Sequence, residues 1–389
     1  MNVTGIICEY NPLHLGHKKQ IDRIRTQLGT ESGIVCLMSG NYVQRGAPAI
    51  VDKMCRAKAA VLSGADLVLE LPVTVSLSSA EGFASGGVRI LTPFCDHLCF
   101  GAENADKDVL LSTAQALLSP DFQAAIHTQL RKGVSFPAAR QWALESMGLD
   151  GQLLSLPNNI LAVEYCKAIL AQNAQIEPMP ILREGNYHDA AADAKNPSAT
   201  AIRHLMQNCE PWLDYVPAEA QNCFIEAPKH TLYAGERAIL AKLRCMTEAE
   251  FEALPFGSEG LWRKFMHAVH TETDTESILA ATKSKRYTRT RLDRMLLCAF
   301  LGITQRDLET NPPYTRVLAL NNRGREILKR ARETGNFPNI GEVQNDPYQA
   351  LENRCGDLYG LFALDTPEPP GVENRYRIYY HKEVQSYKT

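Results

Sequence analysis

This 389-residue sequence lacks the features of a membrane-spanning or disulfide-bonded protein. No apolar run reaches the ~20 residues that a membrane-spanning helix needs. The N-terminus has no basic segment followed by a cleavage site, as a secretory signal would. The eleven cysteines are scattered, odd in number and without a CxxC pair, which argues for reduced thiols rather than a disulfide framework. We therefore expect a cytoplasmic protein.

An excess of positive charge is also missing, since 41 Lys and Arg residues stand against 44 Asp and Glu residues. This balance excludes a uniformly basic nucleic-acid binder but allows a local basic surface, because acids elsewhere cancel it in the total. Metal-ligand spacing is missing as well. Cys95, His97 and Cys99 lie in an apolar stretch that predicts a strand, and no second ligand pair occurs at zinc spacing. We expect no metal site built by the protein alone.

Apolar runs alternate with helical periodicity in the first half of the chain. Strands are predicted at 3–9, 33–38, 66–71, 97–101 and 177–182, and helices at 18–28, 53–63, 80–91, 107–118 and 158–173. Alternation of this kind predicts a Rossmann-like parallel sheet with crossover helices, whose ligands bind at the carboxyl ends of the strands. Residues of about 120–150 are helical without strands and are interpreted as an insertion.

The second half of the chain has a different character. Helices are predicted at 232–254, 259–271 and 275–301, followed by a strand at 316–320 and a helix at 323–334. We therefore divide the chain into an α/β nucleotide-binding domain, 1–210, and a mostly helical C-terminal domain, 211–389. The second domain is expected to end in a small α/β element.

The first predicted strand leads directly into the pattern HxGH, formed by His14, Leu15, Gly16 and His17. The backbone N–H groups and helix dipole of such a strand-to-helix connection attract phosphate. Gly16 allows close approach of a nucleotide, and two imidazoles three positions apart can converge on one phosphate. Adenylyl transfer needs donors where charge develops on phosphate oxygens rather than a protein nucleophile. The motif therefore indicates nucleotidyl transfer.

A second motif, SxTxxR, follows the last strand of the same predicted domain. Ser198, Thr200 and Arg203 lie in the first turns of a predicted helix. Two hydroxyls, helix N–H groups and a guanidinium form a phosphate-binding arrangement. Ser198 alone would be an ordinary helix cap. The pairing with HxGH favours the functional interpretation.

Together, HxGH and SxTxxR resemble the HIGH-type nucleotidyltransferase superfamily. Longer segments are similar to the bacterial tRNA(Met) cytidine acetate ligase family: Gly5-Ile6-Ile7 with Glu9-Tyr10-Asn11-Pro12, MSGNYVQRG at 38–46, Asp52-Lys53, Phe100-Gly101-Ala102-Glu103, Pro157-Asn158-Asn159-Ile160-Leu161, Ser198 to Arg203, and SKRYT at 284–288. The resemblance covers most of the chain. It implies activation of acetate with ATP to acetyl-adenylate, then acetyl transfer to N4 of the wobble cytidine of elongator tRNA(Met).

The resemblance also implies which residues bind ATP. His14, His17, Ser198, Thr200 and Arg203 would surround the triphosphate. The nucleotide pocket would be completed by Gly101, one of Asn158 and Asn159, Arg183, Glu184, and the segment Ile7, Cys8, Glu9, Tyr10, Asn11, Pro12, Leu13, Leu15, Gly16, Lys18, Lys19 and Gln20. Mg²⁺ is expected as a companion of ATP because it neutralises phosphate charge.

Two cations follow the second predicted strand. Arg45 and Lys53 are expected to face the same cleft, where either could hold the acetate carboxylate or a phosphate. A solvated loop with exposed charges is the competing interpretation.

Basic residues cluster in the C-terminal half, although the whole chain is slightly acidic. One cluster contains Lys283, Lys285, Arg286, Tyr287, Arg289, Arg291 and Arg294, and a second contains Arg323, Arg325, Lys329, Arg330 and Arg332. The presence of two such clusters in an acidic protein, with an aromatic side chain in the first that could stack on a base, predicts contact of the first cluster with RNA phosphates. A solvated helix face is the alternative for either cluster.

Two other functions remain open at this point. A small-molecule adenylyltransferase would keep AMP on its product, but such enzymes are commonly compact and would not need the basic second half. A non-catalytic RNA-binding protein could keep the fold, but it would be expected to lose HxGH or SxTxxR. Both motifs are intact here.

Overall fold

A computed structural model describes residues 1–134, 136–183, 198–334 and 346–382 of the chain. Within these ranges, no helix combines the length and apolar character needed to cross a membrane. Glu184, which is expected in the nucleotide pocket, lies outside the described residues.

A seven-stranded sheet forms the centre of the fold. Its strands are β1 (Val3–Cys8), β2 (Gly33–Ser39), β3 (Leu67–Leu71), β4 (His97–Ala102), β5 (Glu177–Leu182), β6 (Val317–Leu320) and β7 (Tyr379–Tyr380). Their order is β5-β4-β1-β2-β3-β6-β7, and the first five are mutually parallel. β1 lies between β2 and β4: the chain runs from β1 through β2 to β3 on one side and then crosses to β4 on the other side of β1. This reversal creates a switch point at the carboxyl end of β1, where ligands bind in such sheets.

Crossover helices cover the sheet as its parallel strands require. They are Leu15–Leu28, Lys53–Leu62, Ala80–Leu91, Lys107–Leu118 and Pro157–Ala171, with the inserted helices Pro120–Arg131 and Phe136–Ser146 and the later helix Ala199–Gln207. Caps define several of their starts. Asp52 accepts from the backbone N–H groups of Met54 and Cys55, and Asp106 does so from Asp108 and Val109. The predicted Rossmann-like class is confirmed.

Helices dominate the C-terminal half. They are Gln221–Ile225, Glu236–Arg244, Glu248–Glu252, Leu261–Thr271, Thr275–Thr282, Arg289–Leu301, Gln305–Glu309, Asn322–Thr334, Pro347–Tyr359 and Val372–Arg375. The apolar faces of six of them form one core with Tyr42, Val73 and Leu77 from the first half: Glu236–Arg244, Glu248–Glu252, Leu261–Thr271, Thr275–Thr282, Arg289–Leu301 and Pro347–Tyr359. The helical region therefore packs against the segments that follow β2 and β3.

Two helices predicted as continuous are each divided. The prediction at 232–254 breaks because Thr247 caps a new helix and forms a capping box with Glu250. The prediction at 275–301 breaks because Lys283 adopts an extended conformation and Thr288 caps the next helix. Helical periodicity continues across both breaks, and the local caps decide where each helix starts.

The small α/β element near the C-terminus joins the first sheet. β6 pairs antiparallel with β3, and β7 pairs parallel with β6. The helix Asn322–Thr334 buries Ile327 in the same core as Val3 and Val35. A Cβ at Gly33 would lie 2.8 Å from the Ile327 side chain, so this helix lies close to β2. The chain thus returns to its N-terminal sheet, and a domain boundary near residue 210 stays a prediction.

Candidate active site

The HxGH turn connects β1 to the helix Leu15–Leu28. His14 is the residue before the helix, and its Nδ1 accepts from the Gly16 N–H at 3.1 Å. His17 Nδ1 accepts from the His14 N–H at 3.3 Å. The two rings stack with centroids 3.7 Å apart. The histidines thus cap the helix reciprocally, at the point where its N-terminal dipole favours an anion.

These hydrogen bonds assign the protons of both imidazoles. Because each Nδ1 accepts a backbone N–H, the neutral ring carries its proton on Nε2, which is left as a donor. Burial, followed by the charges of Arg183 and Arg203, lowers the pKa of His14 to about 3. Burial, His14 and Arg183 lower the pKa of His17 as well. The site therefore presents two neutral donors rather than two cations.

The SxTxxR motif approaches the same turn from the other side. Ser198 caps the helix Ala199–Gln207 by accepting from the Ala201 N–H at 3.1 Å. Arg203 Nη1 donates to the Asn11 carbonyl at 2.7 Å, and its Nη2 donates to Thr200 Oγ1 at 3.0 Å. Burial lowers the pKa of Arg203, as does the charge of Arg45, whereas Glu9 raises it. The structure therefore brings the two motifs together, as the sequence predicted.

Arg183 and the start of the helix Pro157–Ala171 form a third side. Arg183 follows β5, and its Nη1 donates to Asn158 Oδ1 at 3.1 Å. A Cβ at Gly101 would lie 3.0 Å from Arg183 Cγ, so the glycine leaves room for this side chain. The Asn158 amide also donates to Glu103 Oε1 at 2.6 Å. Asn158 therefore belongs to the polar surface shared with Arg183.

Asn159 has a different surrounding from its neighbour. It is buried, and its Oδ1 accepts from the Asn104 N–H at 2.9 Å. Its own N–H donates to Glu103 Oε2 at 2.7 Å. These bonds tie the helix start to the end of β4. Asn158 is therefore the better candidate of the two for contact with a ligand.

The remaining residues of the predicted ATP segment differ in exposure. Leu13 is fully buried in the core, so only its backbone could contact a nucleotide. Lys18 forms an ion pair with Asp22, and Gln20 Nε2 lies 3.4 Å from Cys99 Sγ. Lys19 is exposed. The other predicted members, Ile7, Cys8, Glu9, Tyr10, Asn11, Pro12, Leu15 and Gly16, lie along β1 and the turn.

Lys53 lies in a buried charge network. Its ammonium donates to both oxygens of Glu70 and of Glu373 at 2.7–2.9 Å, and Arg316 contacts the same carboxylates at 3.3 and 3.2 Å. This is a correction to the expectation that Lys53 faces the cleft as an acetate or phosphate ligand, because its donors already serve two carboxylates. The charged Glu70 within the apolar strand LVLEL was a sequence signal for such a partner.

A fifth group joins the network of Lys53, Glu70, Glu373 and Arg316. Glu352 is buried beside it and accepts from the Tyr314 hydroxyl at 2.9 Å. Burial and the nearby charge of Glu70 raise the pKa of Glu352 to about 8. At neutral pH the group therefore contains two cations, two carboxylates and a largely protonated carboxyl.

Arg45 is exposed in the hairpin 42–48, whose strands Tyr42–Val43 and Ala47–Pro48 pair antiparallel. The hairpin is attached to the HxGH turn because the Gln44 N–H donates to Glu9 Oε1 at 2.9 Å. Arg45 is also near enough to Arg203 to affect its pKa. Arg45 is therefore close enough to Arg203 of the SxTxxR motif for their charges to interact, and its role as a ligand for acetate or phosphate stays a prediction.

The first part of the predicted RNA-binding segment is a loop. Lys283, Lys285 and Arg286 are exposed there, and Tyr287 is half-buried. Arg286 Nη2 pairs with Glu259 Oε1 at 2.8 Å, and the Tyr287 hydroxyl donates to Glu259 Oε2 at 3.0 Å. An acid from another segment therefore partly neutralises this loop.

The second part of the predicted segment lies on the helix Arg289–Leu301. Arg289 pairs with Glu276 at 2.6 Å and with Asp293 at 2.7 Å. Arg291 Nη2 donates to the Phe256 carbonyl at 2.7 Å. Both arginines therefore have partners within the protein, and their contact with RNA stays a prediction.

Arg294 does not lie on the surface, which corrects its assignment to the RNA-binding face. It is 8% exposed, and its guanidinium lies 4.9 Å from the centroid of the Phe256 ring. Its Nη1 donates to the Gln44 carbonyl at 3.3 Å. Helical spacing places Arg294 one turn from Arg291, but packing of the hairpin 42–48 covers it.

The second basic cluster lies on the helix that packs against β2. Arg323 pairs with Glu31, and Arg330 forms a two-bonded pair with Asp96. Arg325, Lys329 and Arg332 are exposed on the same helix. This cluster is therefore attached to the N-terminal sheet rather than to the helical region.

The fold and the paired motifs define a HIGH-type nucleotidyltransferase. In agreement, the family model described as HIGH Nucleotidyl Transferase matches residues 1–368. The sequence is similar to two proteins named tRNA(Met) cytidine acetate ligase, one from Clostridium novyi (strain NT) and one from Clostridium acetobutylicum. The first is 38% identical, covering 87% of this chain and 89% of the relative. The second is 36% identical, covering 90% and 92%.

Two solved structures of Thermotoga maritima TmcAL share the complete fold. The apo form superposes with a TM-score of 0.90 at 28% identity, covering 98% of this chain and 100% of that one. The form bound with alpha-thio ATP gives 0.87 at 29% identity, with the same coverage. The chain belongs to the tRNA(Met) cytidine acetate ligase family.

Proposed function

We propose that this protein activates acetate with ATP and transfers the acetyl group to N4 of the wobble cytidine of elongator tRNA(Met). In the first step, an acetate oxygen attacks the α-phosphorus of ATP, forming acetyl-adenylate and releasing pyrophosphate. In the second step, the cytidine amino group attacks the acetyl carbonyl, loses a proton and releases AMP. The family to which the chain belongs and its ATP-analogue-bound relative support this assignment.

One observation carries the proposal at the level of chemistry. Two neutral imidazoles with free Nε2 donors meet Arg203 and the helix start at Ser198 beside one turn. This arrangement suits growing negative charge on the α-phosphate and on leaving pyrophosphate, and it supplies no nucleophile of its own. The attacking group must therefore come from a second substrate, as a carboxylate does. Arg183 and Asn158 would hold the nucleotide from the opposite side.

Mg²⁺ is proposed as a companion of ATP. This ion is commonly bound by one or two carboxylates together with substrate phosphates and water. Glu9 could supply the protein's share, because its carboxylate follows β1 directly on the connection to HxGH, where its Oε1 accepts from the Gln44 N–H. Bound Mg²⁺ would neutralise the triphosphate and aid departure of pyrophosphate.

tRNA is proposed to bind across the helical region, with the exposed loop 283–288 among its contacts. Lys283 and Lys285 are exposed cations there, and Tyr287 could stack on a base. The loop lies at the start of the helix whose Arg294 contacts the hairpin 42–48 beside the HxGH turn. The RNA surface would therefore lead toward the nucleotide pocket.

The test is incubation of the protein with ATP, radiolabelled acetate and total bacterial tRNA. We expect label in RNA that depends on ATP, and an acetyl hydroxamate when hydroxylamine traps the adenylate. Omission of ATP and of tRNA in turn separates the two steps. If AMP became stably attached to a small molecule, the adenylyltransferase alternative would replace this proposal. Binding of tRNA without use of acetate would instead favour a non-catalytic RNA-binding protein.

A further inference from the structure

Gln44 is held through both of its backbone groups. Its N–H donates to Glu9 Oε1 at 2.9 Å, and its carbonyl accepts from Arg294 Nη1 at 3.3 Å. Glu9 belongs to the connection that carries HxGH, whereas Arg294 belongs to the helix Arg289–Leu301. One residue of the hairpin 42–48 therefore joins the nucleotide pocket to the helical region.

The contact between hairpin and helix is close. Gly46 has φ +81, and a Cβ there would lie 2.5 Å from Arg294 N and 2.6 Å from Asp293 C. No side chain could occupy this position without displacing the helix backbone or the turn. The turn of the hairpin thus has a fixed distance from the helix, and Arg45 lies within this turn, between Gln44 and Gly46.

Residues of the helical region hold the Arg294 side chain in place. Its guanidinium covers the ring of Phe256, and Arg291 holds the Phe256 carbonyl with two donors at 3.0 and 2.7 Å. Such a buried arginine directs its donors more narrowly than a solvated one, because its planar group is confined by packing. Its Nε has no hydrogen-bond partner among the described residues. The hydrogen bond to the Gln44 carbonyl therefore helps to compensate the buried charge of Arg294.

We propose that Arg294 is a positioning residue for acetate activation, which holds the hairpin 42–48 so that Arg45 faces the phosphate motifs. This inference rests on the function proposed above. Arg45 would act at the pocket, because it lies between Gln44, whose N–H is bonded to Glu9, and Gly46, whereas Arg294 would act only through the hairpin. The predicted RNA-binding segment 283–294 would thus have two roles. Its first part carries the exposed candidates for RNA contact, and its last residue, Arg294, would serve the nucleotide pocket.

The test compares Arg294→Met, Arg294→Lys and Arg45→Ala. We expect Arg294→Met to lower kcat for acetate-dependent pyrophosphate release about 10²-fold, since small displacements of positioning groups have such effects. The dissociation constant for tRNA and its salt dependence should stay within twofold of wild type. Arg294→Lys should restore part of kcat. Gln44→Ala is the matched control and should keep wild-type activity, because only the backbone of Gln44 is used.

A double-mutant cycle separates positioning from general stability. If Arg294 acts through Arg45, the Arg45→Ala, Arg294→Met double variant should lose no more activity than Arg45→Ala alone. Multiplicative losses would overturn the proposal, as would unchanged kcat with a salt slope lowered by ~0.7–0.9, the effect of losing a phosphate contact. Should Arg294→Met fail to fold, the cycle is measured with Arg294→Lys. Failure of wild type to use acetate would refute the proposed function instead, whatever the variants do.

Discussion

Replacing His14 with Asn tests whether the HxGH histidines act as neutral hydrogen-bond donors. His14 does two things in the structure: its Nδ1 caps the helix at the Gly16 N–H, and its Nε2 is left as a donor. Asn keeps an oxygen for the cap, since Asn is among the best capping residues. It loses the donor at the position of Nε2. His14→Asn thus separates catalysis from local folding.

The expected loss follows from the number of donors removed. One donor aimed at developing charge contributes on the order of 10²–10³ in rate, so acetate-dependent pyrophosphate release should fall by that factor. His14→Ala should lose the same donor and also the cap, with an additional stability loss of about 1 kcal/mol. The assay is single-turnover pyrophosphate release, with urea unfolding measured in parallel. Near wild-type rates in His14→Asn would refute the assigned role of Nε2.

The depressed pKa of His14 gives this prediction a pH dependence. The folded protein holds the pKa at about 3, whereas an unfolded histidine titrates near 6.5. Below pH 6.5 the unfolded chain therefore binds a proton that the folded chain does not, and stability falls with pH by about 1.4 kcal/mol per unit. The unfolding free energy of wild type should therefore fall relative to that of His14→Asn at about that rate as the pH is lowered from 6 to 4.5. A difference in unfolding free energy that stays constant, or that changes in favour of wild type, would contradict the neutral assignment.

Five further substitutions test other parts of the molecule. Asn158→Ala should weaken ATP binding about 10-fold by calorimetry. Asn159→Ala should instead lower the unfolding free energy by about 1–3 kcal/mol, because the partly buried Asn104 N–H loses its partner. The reverse pattern would exchange the roles of the two asparagines. Lys53→Met should lower the unfolding free energy by about 3–5 kcal/mol in urea, because it leaves buried carboxylates undercompensated, and a loss below about 1 kcal/mol would contradict this. Lys285→Glu should lower the salt slope of tRNA binding by ~0.7–0.9, while Tyr287→Ala should weaken binding at unchanged slope. Unaltered affinity and slope in both variants would move the RNA surface elsewhere.

The parallel sheet was predictable from the sequence because its signals are local. The first five strands are short apolar runs, as is usual for strands of a parallel sheet, and segments with helical periodicity separate them along the chain. Caps such as Asp52 fix where the helices begin. By contrast, nothing local in Val317–Leu320 specifies its partner. Its antiparallel pairing with Leu67–Leu71 joins segments about 250 residues apart, and such pairing depends on the assembled surface.

Site residues were predictable where one motif carries several functional groups. His14, Gly16 and His17 lie on a single turn, so their spacing in sequence is also their spacing in space. The hairpin contact of Arg294 could not be predicted in that way. A run of basic residues on a helix resembles a solvated face, and only the position of Gly46 against the helix backbone shows that this arginine is covered. Burial of a charged residue is a tertiary property.

Buried charges on and beside the sheet hold the nucleotide-binding half of the chain and its C-terminal segment together. β6 lies beside β3, and Arg316, the residue before β6, contacts Glu70 within β3. Glu373 adds a second carboxylate from near the C-terminus, and both acids meet Lys53 at the start of the helix that follows the hairpin 42–48. Breaking such a buried group leaves charge without compensation, so these segments are held in one arrangement. The hairpin that faces the nucleotide pocket is therefore fixed at one end by Arg294 and followed by residues tied to the C-terminal segment. A surface for tRNA built on the helical region would accordingly keep a constant position relative to the phosphate motifs.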